Sequence, residues 1–314
     1  REGRKVEYIP PEDVVRQQGA ELLRLWVASS DFRTDITYSR TILNQLSESY
    51  RKYRNTSRFV LGNLYDYNPA KDRVGDAELR DLDRYALALL RDFCYRVTQA
   101  YEQYELHTVF RSLIDFVTVE LSAFYFDVVK DRLYCDSPAS SSRRAVQTTL
   151  CEIGRALATL SAPILSFTAE DIWRHLPRAA SDPASVHLAA MPAGAPLDAN
   201  SELVKRWAIL AEYRKGAVKA LEPFRAAKHH PLDALLVVMP NPAHREILKS
   251  SQEALPELCG VSSVVISPDN ALGEGPAFTA EQAPGRRCDR CWKYTSASGA
   301  LCDRCATVLG AADA

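Results

Sequence analysis

The feature that most constrains the fold is a set of long segments in which apolar side chains recur at steps of three and four residues. Such steps place the apolar side chains on one face of an α-helix, and that face has to be buried. In residues 40–66 the face comprises Leu43, Leu46, Tyr50, Tyr53, Val60, Leu61 and Leu64. Further helices are predicted over residues 11–29, 77–104, 107–131, 141–160 and 168–176. Amphipathic helices with short links are typical of a helical bundle, and we predict one here.

The hydrophobic period changes after residue 200, beyond an irregular Pro-containing connector over residues 177–200. Short runs rich in β-branched residues then indicate strands between helices. The predicted elements are a helix over 200–227, a strand over Ala234–Met239, a short helix over 242–250 and a strand over Val261–Ile266. We therefore predict a small α/β unit over residues 201–270. Residues 270–284, which include Gly273, Gly275 and Pro276, are predicted to be a linker.

Composition narrows the classes of function. The 314 residues carry a formal net charge of -1, so any contact with nucleic acid has to come from local basic patches. No apolar run approaches the ~20 residues that span a bilayer, and no membrane association is expected. The chain begins with Arg1 rather than Met. We interpret it as a piece of a longer protein, or as a processed or incomplete sequence.

Four of the eight cysteines stand in two CxxC pairs near the end of the chain, Cys288 with Cys291 and Cys302 with Cys305. A CxxC turn directs two thiolates at one metal ion, and two turns complete the tetrahedral shell of a structural zinc site. The spacing does not suit the common ferredoxin clusters, and a thioredoxin-like context for redox chemistry is missing. We predict one structural Zn²⁺ per chain, with four unligated thiols as the alternative. The remaining cysteines are predicted to be buried thiols: Cys94, Cys135, Cys151 and Cys259.

The cysteine segment is also basic and aromatic. Arg290, Trp292 and Lys293 lie between its cysteines. A small metal knuckle of this composition suits stacking on unpaired bases and contact with phosphates. A solvated face, with the aromatic rings packed over the metal, is the alternative interpretation.

A second basic stretch lies in the helix predicted over residues 40–66. Arg51, Arg54 and Arg58 are three and four residues apart, so they share one helix face, and Asn55 is adjacent in sequence to Arg54. RNA binding and a solvated, salt-bridged face both account for this pattern.

Signatures of catalysis are absent from the sequence. It contains no GxxxxGK phosphate loop, no GxGxxG and no HExxH, and its six histidines form no ligand pattern. No catalytic residue is predicted.

The order of these parts resembles one known family. Gly19–Phe32 looks like the segment that follows the second catalytic signature of isoleucyl-tRNA synthetases. Tyr50–Phe59 and Leu61–Leu64 are similar to the opening helix of that family's anticodon-binding bundle. Lys219–Glu222, with Arg225 and Lys228, resembles its C-terminal junction. Cys288–Tyr294 and Leu301–Cys305 resemble the zinc knuckle of the bacterial-type enzymes, so the resemblance covers nearly the whole chain.

The resemblance implies a mainly α architecture in four segments. These are the end of the connection from the catalytic domain (1–38), the anticodon-binding helical bundle (39–178), a linker with a small α/β junction unit (179–283) and the zinc knuckle (284–314). It also implies that the chain is part of a class I aminoacyl-tRNA synthetase, an isoleucine--tRNA ligase. The complete enzyme would attach isoleucine to its tRNA with ATP, and this chain would recognise the anticodon limb without holding the adenylation site.

Likeness to the family makes Arg290 and Trp292 the main candidates for anticodon contact. Arg51, Arg54 and Asn55 are weaker candidates, for contact with tRNA or with another domain. Lys293 and Arg58 are further candidates for contact with tRNA. The expected partners are isoleucine tRNA and the N-terminal catalytic and editing domains of the same enzyme. A monomer in the cytoplasm is expected, with ATP bound only by the complete enzyme.

The sequence also departs from the family pattern. The first ATP signature and an editing domain are not in this chain. The Lys-Ser-rich loop expected near its start is missing, because Gly3–Lys5 runs directly into Val6–Pro11. At His229–Pro231 the family usually has a small Gly/Ser turn. Two alternatives follow: a zinc-knuckle DNA-binding or repair protein, and a non-catalytic synthetase-like paralogue. Arg1–Glu2 does not supply the N-terminal Pro and acidic partner of formamidopyrimidine-type glycosylases.

Overall fold

The computed structural model describes residues 10–36, 39–269, 271, 275–297 and 299–310, and α-helix dominates this part of the chain. The predictions for Gly3–Lys5, Val6–Ile9 and Gly273 lie outside the described residues. In chain order the helices are α1 (Pro11–Gln18), α2 (Ala20–Ser29), α3 (Arg40–Asn63), α4 (Pro69–Asp72), α5 (Asp81–Glu102), α6 (Leu106–Asp115), α7 (Phe126–Cys135), α8 (Ser141–Ser161), α9 (Ser166–His175), α10 (Glu202–Ala220), α11 (Glu222–Ala226), α12 (Arg245–Ser250), α13 (Leu255–Cys259) and α14 (Asp303–Gly310). A mainly α fold with a small sheet and a cysteine cluster confirms the predicted fold class.

Tertiary contacts divide the chain into two compact units. The first comprises the chain up to Val74, Ala86–Ala123 and Gln147–Leu197. The second comprises Gly75–Tyr85, Phe124–Val146 and the chain from Asp198 onward. Neither unit is continuous in sequence. The four-segment division at residues 38, 178 and 283 stays a prediction.

In the first unit, α3 buries the stripe that its sequence predicts. Leu43, Leu46, Tyr53 and Val60 are buried, and the Ser39 hydroxyl caps the helix by accepting from the Ile42 amide. α2 packs against α3 and α6. The fully buried Tyr53 hydroxyl hydrogen-bonds the Ser161 hydroxyl at 2.7 Å, which removes the cost of burying either group alone.

The helix predicted over residues 107–131 is interrupted in the structure. A π-helical segment, Phe116–Tyr125, separates α6 from α7. Within it the Ser122 hydroxyl donates to the carbonyl of Val117, five residues earlier, at 2.7 Å. This bond fits the wider π turn, whereas the apolar spacing of the sequence indicates only a continuous helix.

In the second unit, a three-stranded sheet is ordered β2-β1-β3, with β1 at Ala234–Met239, β2 at Ser263–Ile266 and β3 at Ala277–Gln282. β1 runs parallel to β2 and antiparallel to β3, with Leu236 opposite Val264 and Ala280. The two predicted strands are confirmed. The predicted linker is wrong over Ala277–Gln282. That edge strand is mostly half-buried or exposed, so it lacks the alternation that marks a strand in sequence.

A buried ion pair ties the first turn of α5 to α7 within the second unit. The Arg132 Nη2 donates to Asp83 Oδ2 at 2.8 Å, and the two side chains are 2% and 0% exposed. The Tyr125 hydroxyl donates to Asp83 Oδ1 at 2.9 Å, and Arg132 Nε donates to the Ser142 hydroxyl. Because each charged atom has a partner, α7 is fixed in place without an uncompensated buried charge.

Candidate metal centre and its basic surroundings

Four cysteine side chains meet at the end of the second unit. Cys288 and Cys291 follow β4 (Arg286–Arg287), which pairs antiparallel with β5 (Tyr294–Thr295), and Cys302 and Cys305 lie at the start of α14. Gly285 opens this hairpin with φ 95°, where a Cβ would lie 2.2 Å from the Thr295 carbonyl oxygen. Only glycine fits there without displacing the backbone, so the hairpin that presents the first two cysteines depends on it.

The four sulfur atoms lie close enough together to bind one metal ion. All lie within 4.8 Å of one another, and Cys291 Sγ is 3.8 Å from Cys302 Sγ. Zinc–thiolate bonds of ~2.3 Å in a tetrahedron put the sulfurs about 3.8 Å apart. All four thiols are free of disulfides and buried. The cluster is compatible with a zinc site that has no open coordination position.

Hydrogen bonds from donors and burial shift the pKa values of the thiols in opposite directions. Burial alone would raise the pKa of Cys288, but backbone amides of Cys291, Cys302 and Arg290 lower it to about 6. Burial raises the pKa of Cys305 to about 12, against the donor at Arg290 Nη1, which is 3.5 Å from its sulfur. A divalent cation would supply the charge that allows all four to ionise.

Three basic side chains of this segment, Arg290, Lys293 and Arg304, are directed at α7 of the same unit. Arg290 Nη1 donates to the Cys135 carbonyl at 2.6 Å, at the C-terminal end of that helix. Lys293 Nζ donates to Asp131 Oδ2 at 3.0 Å, and Arg304 forms two bonds of 2.8 Å with the same carboxylate. Burial alone would raise the pKa of Asp131, but the two cations hold it well below its usual range.

Trp292 is more exposed to solvent than a packed aromatic residue, with 48% of its surface accessible. Its backbone is in the left-handed region, with φ 65°, which is rare for a residue with a Cβ. The Arg287 guanidinium lies 5.1 Å from the ring centroid, and the His230 ring meets it edge-on at 5.7 Å. The structure thus holds a half-exposed indole beside exposed Arg287.

The predicted residues on α3 lie in the first unit. Arg51, Arg54, Asn55 and Arg58 are all exposed. The Arg51 guanidinium pairs with Glu48, and Arg54 lies 5.8 Å from the centroid of the Tyr50 ring. Arg58 has no hydrogen bond or ion pair with any residue that the structure describes. The face is therefore solvated, with one of its three arginines paired.

Sequence reasoning missed the residues against which the knuckle packs. Asp131, Asp136 and Cys135 lie about 150 to 170 positions before their partners, and no local motif marks them. Cys135 is buried in the same cluster as the four thiols. Burial raises the pKa of Cys135 to about 11.

Comparisons with known proteins match this arrangement to one family. The model described as the anticodon-binding domain of tRNA ligase matches residues 83–239. The isoleucine--tRNA ligase of Desulforudis audaxviator is 40% identical over 317 residues, covering 96% of this chain and 34% of that protein. The corresponding ligase of Syntrophotalea carbinolica is 42% identical over 316 residues with the same shares covered. That of Moorella thermoacetica is 40% identical over 333 residues, covering 98% of this chain and 36% of that protein.

The chain spans about a third of the length of these curated relatives and matches them as their C-terminal part. Within the described residues, no helix has the length and hydropathy that crossing a membrane requires. The matched region includes α7 and α10, which belong to the second unit, and ends with β1. The chain belongs to the anticodon-binding domain family of tRNA ligases.

Proposed function

We propose that this chain is the tRNA-binding C-terminal part of an isoleucine--tRNA ligase, a class I synthetase that attaches isoleucine to its tRNA with ATP. One observation carries the proposal: isoleucine--tRNA ligases are 40% identical to this chain over 96% of its length. In this proposal the chain binds the anticodon limb of isoleucine tRNA, while ATP and isoleucine bind elsewhere in the complete enzyme. The enzyme would act in the cytoplasm, as a monomer.

The four cysteines would bind one structural Zn²⁺. The sulfur spacing and the burial of Cys288, Cys291, Cys302 and Cys305 support this assignment. With four protein ligands and no position for water, the ion would hold the knuckle in shape rather than take part in a reaction.

Trp292 is the residue of the knuckle that we assign to stacking on an unpaired base. Its half-exposed ring, close to Arg287, supports this role because bases stack on aromatic side chains and phosphates pair with arginine. Arg290 and Lys293 stay candidates for tRNA contact, although both already bond to α7. On α3, Arg51, Arg54, Asn55 and Arg58 would bind the tRNA backbone, an assignment that their exposure supports.

Binding of the zinc-loaded chain to isoleucine tRNA tests the proposal. We expect a dissociation constant of about micromolar at low salt, rising with salt because phosphates release counterions. A matched transcript with the anticodon loop exchanged should bind at least about 10-fold more weakly. Equal binding of the two transcripts would contradict anticodon recognition. Tighter binding to abasic DNA would favour a repair protein instead.

A second assay tests the absence of the adenylation site. The chain alone should show no isoleucine-dependent exchange of pyrophosphate into ATP. Exchange above background, abolished by omitting isoleucine, would contradict that part of the proposal.

A further inference from the structure

A cavity of about 430 Å³ lies beside the knuckle, entirely within the second unit. Its walls come from α7, α10, α11, α13, the turn before β1 and the knuckle itself. This volume is within the range of small-molecule sites, which is ~300–1,000 Å³. The cavity shares Arg290, Trp292 and Lys293 with the proposed RNA surface, but it also reaches Arg225 and Glu257, which the site described above does not use.

Most charged groups that line the cavity already have partners. Arg214 donates to Asp127 at 2.6 Å, and Asp131 accepts from Lys293. Glu257 differs from them. Its Oε2 is 3.4 Å from Arg80 Nη1, but its Oε1 is buried and has no hydrogen-bond partner among the described residues. Burial raises the pKa of Glu257, because the negative charge of the buried carboxylate is stabilised only in part by its neighbours. A ligand that donates an N–H to Oε1 would remove this cost.

The other lining residues suit the remaining parts of a nucleotide. Trp292 offers an aromatic face at one side of the cavity. Arg225 is exposed, lines the same cavity and has no ion-pair partner among the described residues, so it is available to a phosphate. His230 contacts the Trp292 ring, and its Nδ1 accepts from the Leu232 amide, which leaves Nε2 as a donor. One cavity therefore combines an aromatic surface at Trp292, a cation at Arg225 and a buried hydrogen-bond acceptor, Glu257 Oε1, that has no partner among the described residues.

We propose that this cavity binds one unstacked base of the RNA, a base with an exocyclic amino group that donates to Glu257 Oε1. The inference rests on the proposed function, because it assumes that RNA contacts the knuckle. Trp292 would stack on the base or its neighbour, and Arg225 would contact the adjoining phosphate. A carboxylate only accepts hydrogen bonds, so it favours the N4 amino group of cytosine over the O4 atom of uracil. The two bases also differ at N3, which carries a proton in uracil and none in cytosine, so methylation of cytosine at N4 is the change that isolates the amino group.

The experiment compares two RNA hairpins with the same stem and loops of equal length, one of cytidine and one of uridine. Fluorescence anisotropy at about pH 8, where a carboxyl group of raised pKa is more fully ionised, gives dissociation constants for the zinc-loaded chain. The proteins are the unchanged chain, Glu257→Gln and the control Glu253→Gln, an exposed carboxylate that does not line the cavity. Zinc content and far-ultraviolet circular dichroism verify that each variant is folded.

The unchanged chain and Glu253→Gln should bind the cytidine loop at least about 10-fold more tightly than the uridine loop, the effect expected for a hydrogen bond to a charged group. Glu257→Gln should reduce this ratio to about one, because an amide also donates to O4. A cytidine loop methylated twice at N4 should bind the unchanged chain as weakly as the uridine loop.

Equal binding of both loops by the unchanged chain, or a preference that survives in Glu257→Gln, would overturn the inference. If isoleucine tRNA still binds in those cases, the proposed function stands and only the base site is lost. If neither the hairpins nor isoleucine tRNA bind, the proposed function fails together with it.

Discussion

The basic stretch on α3 and the basic knuckle carry similar sequence signals but use their cations differently. On α3, Arg54 and Arg58 stay exposed to solvent. In the knuckle, Arg290, Lys293 and Arg304 bond to carbonyls and carboxylates of α7. A run of basic and aromatic residues therefore indicates positive charge without indicating whether that charge is available to a partner.

The difference has a physical origin. The α3 residues lie on the solvent face of a long helix whose opposite face is buried, so its arginines extend outward. The knuckle is too short to bury a hydrophobic core of its own, and its fold depends on the thiol cluster and on bonds to a neighbouring helix. We therefore expect changes in the knuckle to alter stability first, and changes on α3 to alter RNA affinity alone.

The largest effect, a loss of both zinc and RNA affinity, is expected for Cys302→Ser. Losing one of four thiolates should lower the zinc content from one ion per chain to nearly none, since the metal supplies most of the folding free energy of such sites. RNA affinity should fall with it, because the segment that carries Trp292 loses its shape. Native mass spectrometry gives the zinc content. The control is Cys94→Ser, which changes a buried thiol outside the cluster and should keep the zinc.

The second largest effect, a loss of stability, is expected for Asp131→Asn. This substitution removes the carboxylate shared by Lys293 and Arg304. The free energy of unfolding should drop by about 2 kcal/mol, because two partly buried cations lose their counter-charge. Urea denaturation measures the change. Asp289→Asn, on an exposed residue of the same knuckle, should change stability little. Similar values for the two variants would mean that the ion pairs do not hold the knuckle on α7.

The ion pairs of Asp131 with Lys293 and Arg304 also predict that the free energy of unfolding depends on pH. The pKa of Asp131 is depressed in the folded protein, so its stabilising effect is present above about pH 4, its unfolded-state value. The effect is lost as pH falls through the lower folded-state pKa. The difference in unfolding free energy between the unchanged chain and Asp131→Asn should therefore shrink in acid. A difference that stays constant down to acid pH would contradict the assignment.

A smaller effect is expected for Trp292→Ala. RNA affinity should fall by about 10-fold or more, the usual result of losing one base–aromatic stack, while the zinc content stays at one. Trp292→Phe keeps an aromatic face and should retain most of the affinity. If Trp292→Ala binds tRNA as the unchanged chain does, the indole serves only as a cover over the knuckle.

The smallest effect is expected for Arg58→Ala on α3. Affinity should weaken less than about 10-fold for every tRNA, and the slope of log affinity against log salt should become shallower by about one. Lys71→Ala, an exposed cation on α4, is the matched control and should leave the slope unchanged. An unchanged slope for Arg58→Ala would remove α3 from the proposed RNA surface.

The spacing of residues within a segment predicted much of this fold. Contacts between residues that are far apart in the sequence could not be predicted in this way. The α3 stripe, the β1 and β2 strands and the four thiols follow from spacing within a few residues of one another. The spacing at Phe116–Tyr125 predicts a helix but not its π turns, and the edge strand Ala277–Gln282 lacks a periodic signal. Asp131 and Glu257 acquire their roles from partners far along the chain, and only the fold brings those residues together.

Chemical footprinting of isoleucine tRNA bound to the zinc-loaded chain tests the central claim most directly. The account predicts that protection from ribose cleavage is concentrated in the anticodon stem and loop. Trp292→Ala should restore cleavage at one or two loop nucleotides while leaving the stem protected. Protection confined to the acceptor stem, or spread evenly over the tRNA, would contradict anticodon-limb recognition by this chain.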